Sequence, residues 1–225
     1  MQLNTDIIKK LVLKDWDLYQ KAIAFYLGGG ILGLAIFGTP YLATFYMGAL
    51  TLLTLLVAAG FMILFGTTIN EKKEQTVPFI MSLPVKPIEF SIAKIIANLS
   101  IFLVMWVAIV AGFTFVTVFS PIPNGLLVFF WLISITLILN YVIVLAVAMI
   151  SESEGWTIFA VVIVNLALNP VIMLLARNPE FHQYFPEERV VWTSTGYAVL
   201  GAQICLTLLI LFMTVAHQAR RRTFI

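Results

Sequence analysis

Hydrophobic and polar positions along the chain alternate in long blocks rather than residue by residue. Six windows, residues 22–37, 47–69, 95–119, 126–150, 156–176 and 192–216, contain no Asp, Glu, Lys or Arg. A helix rises about 1.5 Å per residue and the hydrocarbon core of a bilayer is about 30 Å thick, so about 20 residues cross it. Each window is therefore predicted to be a membrane-spanning helix, because inside lipid every backbone amide must be satisfied within its own segment. The first window is the shortest. It is expected to run on through Pro40 and Tyr41 or to tilt little. The runs lack the two-residue alternation of a transmembrane barrel. The fold class is accordingly an all-α integral membrane protein with six transmembrane helices.

Composition agrees with the pattern. Of 225 residues, 61% are hydrophobic and 11% charged, and the mean hydropathy is +1.03, whereas soluble domains carry about 25% charge. The net charge of +2 comes with no basic patch interleaved with aromatics, so no nucleic-acid partner is expected. The single cysteine, Cys205, lies inside an apolar run and makes neither an internal disulfide nor a zinc site. No small-residue cleavage site closely follows the first apolar run, so the N-terminus is expected to stay on the mature protein.

Orientation follows from lysine and arginine. With both termini in the cytoplasm, Lys9, Lys10, Lys14, Lys21, Lys72, Lys73, Lys86, Lys94, Arg220, Arg221 and Arg222 lie inside and only Arg177 and Arg189 outside, eleven against two. That is a strong positive-inside bias. Glu152 and Glu154 fall in the short inner loop 151–155, where they are either solvated or in contact with a partner. The outer connections 38–46 and 120–125 are turn-like, and the last, 177–191, is longer and mixed in charge.

Two segments outside the spans have their own grammar. Residues 5–21 place Ile7, Ile8, Leu11, Val12, Trp16, Leu18 and Tyr19 near a 3.6-residue period, with Lys9, Lys10, Lys14, Asp17 and Lys21 mainly between them. This predicts an amphipathic interfacial helix whose partner is membrane lipid. Residues 70–94 form a loop of about twenty-five residues where a few would suffice. Inside its charged flanks Val77, Phe79, Ile80, Met81 and Leu83 make a short apolar helix that Pro84 and Pro87 stop, and residues 88–94 restart a helix leading into the third span. A short helix of this kind fits a groove on a soluble protein, or is a connector lying on the membrane surface.

The chain lacks the usual catalytic signatures. No GxxxxGK(S/T) sequence occurs, no catalytic triad can be assembled around His182 or His217, and no metal site is expected, so the catalytic residues and the cofactors bound by this chain are none. The spans hold no titratable carboxylate, which argues against proton-coupled transport. Gly29 and Gly33, four residues apart, suit the close approach of another helix.

The loop resembles the cytoplasmic signature of ABC-2 type permeases, the membrane subunits of a class of ATP-binding cassette transporters. That signature reads E-(R/K)-x-x-G-T, a mostly apolar stretch, S-x-P-(V/I)-S-R, then Glu and Lys entering the third span. Here it appears as Glu71-Lys72-Lys73-Glu74-Gln75-Thr76, then Ser82-Leu83-Pro84-Val85, then Glu89 and Lys94. Gln75 stands in place of Gly, and Lys86-Pro87 in place of Ser-Arg. The resemblance covers nearly the whole chain as one ABC-2 type transmembrane domain. Residues 1–21 are the interfacial helix, 22–69 spans one and two, 70–94 the coupling segment, 95–217 spans three to six and 218–225 a basic cytoplasmic tail.

The resemblance implies a permease of the inner (plasma) membrane, paired with a second copy or a related permease. It implies a separate ABC ATPase subunit that binds ATP and Mg²⁺ and takes the coupling helix into a groove. By the same resemblance Glu71, Glu74, Thr76, Ser82, Pro84, Glu89 and Lys94 belong to the ATPase-coupling relay, and the second and fifth spans line a cleft at the dimer interface. Thr54 and Phe61 on the second span and Asn165 and Asn169 on the fifth are then candidates for a substrate path, the competing reading being ordinary interhelical packing. An uncharged cleft suits export of an amphipathic or hydrophobic cargo: peptide, antibiotic or lipid. The alternatives are an ATP-independent channel or carrier, and a membrane anchor recruiting a soluble enzyme.

The orientation is testable with single cysteines at Gln183 and Arg222 in a Cys205→Ser background. A membrane-impermeant maleimide added to intact cells is expected to label position 183 and to reach position 222 only after permeabilisation. The reverse labelling would overturn the assignment.

Overall fold

The computed structural model describes residues 4–39, 41–71 and 86–220. Among them the secondary structure is entirely helical. The elements are α1 (Thr5–Phe37), α2 (Leu42–Leu64), a π-helical segment (Phe65–Asn70), α3 (Pro87–Phe119), α4 (Leu126–Ser151), α5 (Glu154–Arg177), the short α6 (Pro179–His182) and α7 (Ser194–Arg220). Six of the helices are long and apolar enough to cross a membrane, and the chain is a multi-pass membrane protein.

Local chemistry sets the helix ends. Asn4 opens α1, its Oδ1 accepting from the N–H groups of Asp6 and Ile7. Pro87 stands in the first turn of α3, where a missing N–H costs nothing, and Glu89 accepts from the Lys86 N–H at 3.1 Å. α4 ends on Glu152 in the left-handed region, φ 54°. Glu154 opens α5, where a carboxylate meets the positive end of the helix dipole. Pro170 sits inside α5.

Three boundaries differ from the sequence reading. α1 is one continuous helix, with no break between residues 21 and 22. At 33 residues it is about 50 Å long, well beyond the hydrocarbon thickness. The turn after it is shorter than 38–46, because α2 already starts at Leu42. The second span does not end as an α-helix but widens into the π segment. The restart of a helix ahead of the third span is as expected, α3 running unbroken from Pro87. The short apolar helix expected at 77–83 lies outside the described residues.

α4 is the most enclosed span and α7 the least. α4 packs against α2, α3, α5 and α7, while α1 lies along α2 and α3. α1 and α3 run side by side in the same direction, since Asn4 meets Glu89, Trp16 meets Ser100 and Gly30 meets Ile109 in turn. One end of the bundle gathers Asn4, Glu71 and Glu89. At the other, Phe37, Phe45, Phe113 and Phe130 cluster beneath the turns. There the Gly125 N–H donates to Glu187 O at 2.9 Å and the Asn124 Nδ2 to Glu188 O at 3.2 Å, tying two loops together.

Gly29 and Gly33 pack on Leu55 and Leu52 of α2, as the small-residue spacing predicts. α1 and α2 also come close at Gly48, where an added Cβ would lie 2.5 Å from the backbone of Phe37. Backbone cannot yield as a side chain can. Gly48→Ala is therefore expected to destabilise the fold by about 1–3 kcal/mol, read as a lower unfolding temperature of the full chain in detergent. Gly28→Ala, whose Cβ meets nothing within 4 Å, should not lower it.

Candidate functional site

Four charged side chains from three elements converge at the end of the bundle that begins α1 and α3. Lys94 of α3 places its Nζ 2.8 Å from Asp15 Oδ2 of α1 and 2.7 Å from Glu71 Oε2, just past the π segment. Lys14 Nζ lies 2.8 Å from Glu71 Oε1 and 3.6 Å from Asp15 Oδ1. Asp15 is 1% exposed, Lys94 4% and Glu71 8%. Burying an ion costs several kcal/mol even after relaxation, so such a group persists only with close partners of opposite charge. Two carboxylates and two ammonium groups meet that condition here.

The depth of this cluster follows from helix rise. Asp15 is 22 residues from the far end of α1, and Lys94 is 25 from that of α3. These separations are about 33 and 38 Å. Both groups thus lie at or just beyond the edge of a hydrocarbon layer about 30 Å thick. The apolar windows remain free of charge, and the first turns of α1 and α3 lie beyond that length.

Glu89, 1% exposed, lies about one and a half turns before Lys94 on α3. Its Oε1 accepts from the Asn4 N–H at 2.8 Å and its Oε2 from the Lys86 N–H at 3.1 Å. One carboxylate so satisfies orphan donors where two helices begin. Together Glu71, Glu89 and Lys94 fasten both edges of segment 72–85 to α1. The Ser91 Oγ donates to Gln218 Oε1 at 3.3 Å, and the Gln218 Nε2 to Met149 O at 2.6 Å, extending the same layer to α4 and α7.

A hydrogen-bond chain leads inward from the charges. The Asn98 Nδ2 donates to Lys94 O at 2.9 Å. The Asn98 Oδ1 accepts from the Thr67 hydroxyl of the π segment at 2.9 Å and from the Tyr141 hydroxyl at 3.2 Å. Asn98 and Thr67 are wholly buried. π-helical turns expose backbone geometry that an α-helix would close, and they recur at functional places. Here the wider turn is filled by Tyr19 of α1, whose hydroxyl occupies the space a Cβ on Gly66 would take.

Tyr141 stacks on Phe102, ring centroids 4.1 Å apart, and both form the floor of an apolar slot. α2 contributes Gly60 and Phe61 to one flank and α5 contributes Val161 and Asn165 to the other. The cavity there is about 40 Å³. A second cavity of about 40 Å³ continues from Leu56, which lines both, to Ala49 on α2 and Trp131 on α4.

The sequence-predicted residues divide as follows. Glu71 and Lys94 join the charge cluster, and Glu89 precedes Lys94 on α3. Glu74, Thr76, Ser82 and Pro84 lie outside the described residues. Phe61 and Asn165 line the slot. Thr54 and Asn169 are exposed and line neither cavity. The Thr54 hydroxyl donates to Leu50 O of its own helix at 2.8 Å. Glu152 is exposed and Glu154 half-buried.

Sequence reading missed Asp15, Asn98, Thr67 and Tyr141. Asp15 had a signal: it falls in register with Ile8, Val12, Tyr19 and Ile23, on the stripe that α1 buries. Leu18, assigned to that stripe, is 62% exposed. Asn98 lies four residues after Lys94 and so on the same face. Among the described residues no group of three or more His, Cys, Asp or Glu is arranged to hold a metal ion. No protein-family model, curated protein or solved structure matches the chain.

The charge cluster makes a graded prediction. Lys94→Met leaves two buried carboxylates to share the single ammonium of Lys14 and is expected to cost about 3–5 kcal/mol. Lys14→Met removes an ammonium whose side chain is 45% exposed and is expected to cost about 1 kcal/mol or less. Unfolding temperatures of the two variants in the same detergent should rank in that order. Equal losses would mean that Lys94 is solvated.

Proposed function

We propose that this chain is the permease subunit of an ATP-driven ABC-type exporter. It lies in the inner (plasma) membrane with both termini in the cytoplasm. A separate ABC ATPase, which binds ATP and Mg²⁺, supplies the energy, and a second copy of the chain or a related permease completes the transport path. The cargo is amphipathic or hydrophobic.

The observation that carries this reading is how the residues on either side of segment 72–85 are held. Its leading edge, Glu71, and its trailing edge, Lys86 to Lys94, are both locked to α1 by the ion pairs of Lys94 and the bridging contacts of Glu89. A force applied to the intervening segment by a soluble motor is therefore passed to α1, α2 and α3 together rather than lost in one hinge. A loose connector between two spans has no need of buried charges at its base, since each carries a desolvation cost. The resemblance of 70–94 to the ABC-2 coupling segment names the motor. The positive-inside bias places that end of the bundle in the cytoplasm, where ATP is available.

The uncharged slot between α2 and α5 suits the cargo half of the reading. It brings together Phe61 and Asn165, two of the four residues proposed for the path. In this scheme residues 5–21 lead α1 out of the headgroup layer, their exposed lysines meeting anionic lipid.

The test is recruitment. Deleting residues 77–84 from the full chain, co-expressed with a candidate ABC ATPase, is expected to abolish co-purification of that ATPase and cargo-stimulated hydrolysis in lipid. Transport that survives the deletion would favour an ATP-independent channel or carrier. Recruitment without any cargo movement in the intact complex would favour a membrane anchor.

A further inference from the structure

We propose that the slot flanked by α2 and α5 binds a neutral single-chain amphiphile whose head donates a hydrogen bond, a hydroxyl or an amide, to Asn140 and Asn165. The claim deepens the export reading by naming its cargo class, and it rests on that reading only in calling the occupant cargo.

The two cavities meet at Leu56, which lines both. Along α2 the lining residues Ala49, Leu53, Leu56, Gly60 and Leu64 recur every three or four positions. Along α4, Phe130, Ser134, Leu137, Tyr141 and Val144 do the same. These are single helical stripes, and fifteen residues on α2 correspond to about 22 Å. Each half is about 40 Å³, room for a few methylenes of a chain and too little for a fused ring system. Beyond Asn140 the lining continues toward Phe130 for ten residues of α4, about 15 Å. That stretch is hydrocarbon and aromatic apart from Ser134 and Trp131, whose polar atoms are engaged. The Ser134 hydroxyl donates to Trp131 O, and the Trp131 Nε1 to Thr114 Oγ1.

The polar end is specific. The Asn165 Nδ2 donates to Val161 O at 2.8 Å and the Asn140 Nδ2 to Val164 O at 3.3 Å. A carbonyl can only accept, so each amide must present its NH₂ to the helix and turn its Oδ1 away. No donor among the described residues reaches either Oδ1. Each amide also keeps one unused N–H, so the pair suits a head that both donates and accepts, as a hydroxyl or an amide does. No charged side chain lines the groove, and a charged head would be held there without compensation. Asn140 is eleven residues from the end of α4, about 17 Å inside the bundle. A lipid at rest keeps its head at the membrane surface. A head that needs acceptors this deep belongs to a molecule in passage.

The test uses the full chain in phosphatidylcholine nanodiscs without any ATPase, and a medium-chain monoacylglycerol carrying a diazirine in its tail. Photolabelling is expected on peptides containing Phe61, Val161 and Leu137, with competition by unlabelled monoacylglycerol. Asn165→Leu and Asn140→Leu should each weaken labelling about fivefold, the worth of one hydrogen bond. Val57→Trp, which fills the groove, should abolish it at an unchanged unfolding temperature. The proposal is overturned if the corresponding fatty-acid or phosphatidylcholine probe labels the groove equally well. It is overturned too if label spreads over Phe25 and Leu174 instead, or if a second copy of the chain crosslinks at Phe61 and excludes the probe. Because the assay contains no motor, its failure leaves the coupling reading standing. A failure to recruit ATPase likewise leaves the groove standing.

Discussion

Lys94 carries its charge to a place almost closed to water, and the architecture around it answers that single demand. Its ammonium is held between Asp15 of α1 and Glu71 beyond the second span. To bring two carboxylates within 3 Å of one Nζ, three helices must meet at fixed height and rotation. α1 therefore cannot bend away as a separate surface helix at residue 21 without exposing or stranding Asp15, and it continues unbroken from Thr5 to Phe37. The second span must also present Glu71 to the interior rather than to solvent. The π segment, with its extra residue per turn, supplies that rotation while burying Thr67 and Thr68.

The same constraint links the charged end to the interior. Asn98 follows Lys94 by one helical turn and shares its buried face, so the residue that bonds Lys94 O also receives Thr67 and Tyr141. Each bond contributes about 1 kcal/mol net, yet leaving any of these groups unsatisfied in the interior would cost more. The set is therefore kept complete or rearranged as a whole. Tyr141 is both the last member of this chain and part of the floor of the slot.

Much of the architecture was legible in the order of residues. The six spans, the absence of charge within them, the helical restart before the third span and the tight contact of Gly29 and Gly33 with α2 all follow from composition and period. Glu71, Glu89 and Lys94 were singled out by resemblance; Glu71 and Lys94 pair directly, while Glu89 binds the start of α1 and of α3. Asp15 was not, because a carboxylate on an apolar stripe is usually read as a misfit in the period, and Lys14 and Asp17 beside it suggest a solvated face. Thr54 and Asn169 share helix faces with Phe61 and Asn165 only approximately. Seven and four residues along a helix leave offsets of about 20° and 40° and rises of about 10 and 6 Å, which place both residues outside the lining of the slot.

What the chain by itself determined is where it must leave water. Hydrophobic length and lysine placement are local quantities, and a bilayer reads them segment by segment. Only the tertiary structure decided which polar groups face one another, since that depends on the relative height and rotation of helices far apart in sequence. The pairing of Asp15 with Lys94, and the groove left where α2 and α5 flank a floor of α3 and α4, are properties of that packing, which no single segment encodes.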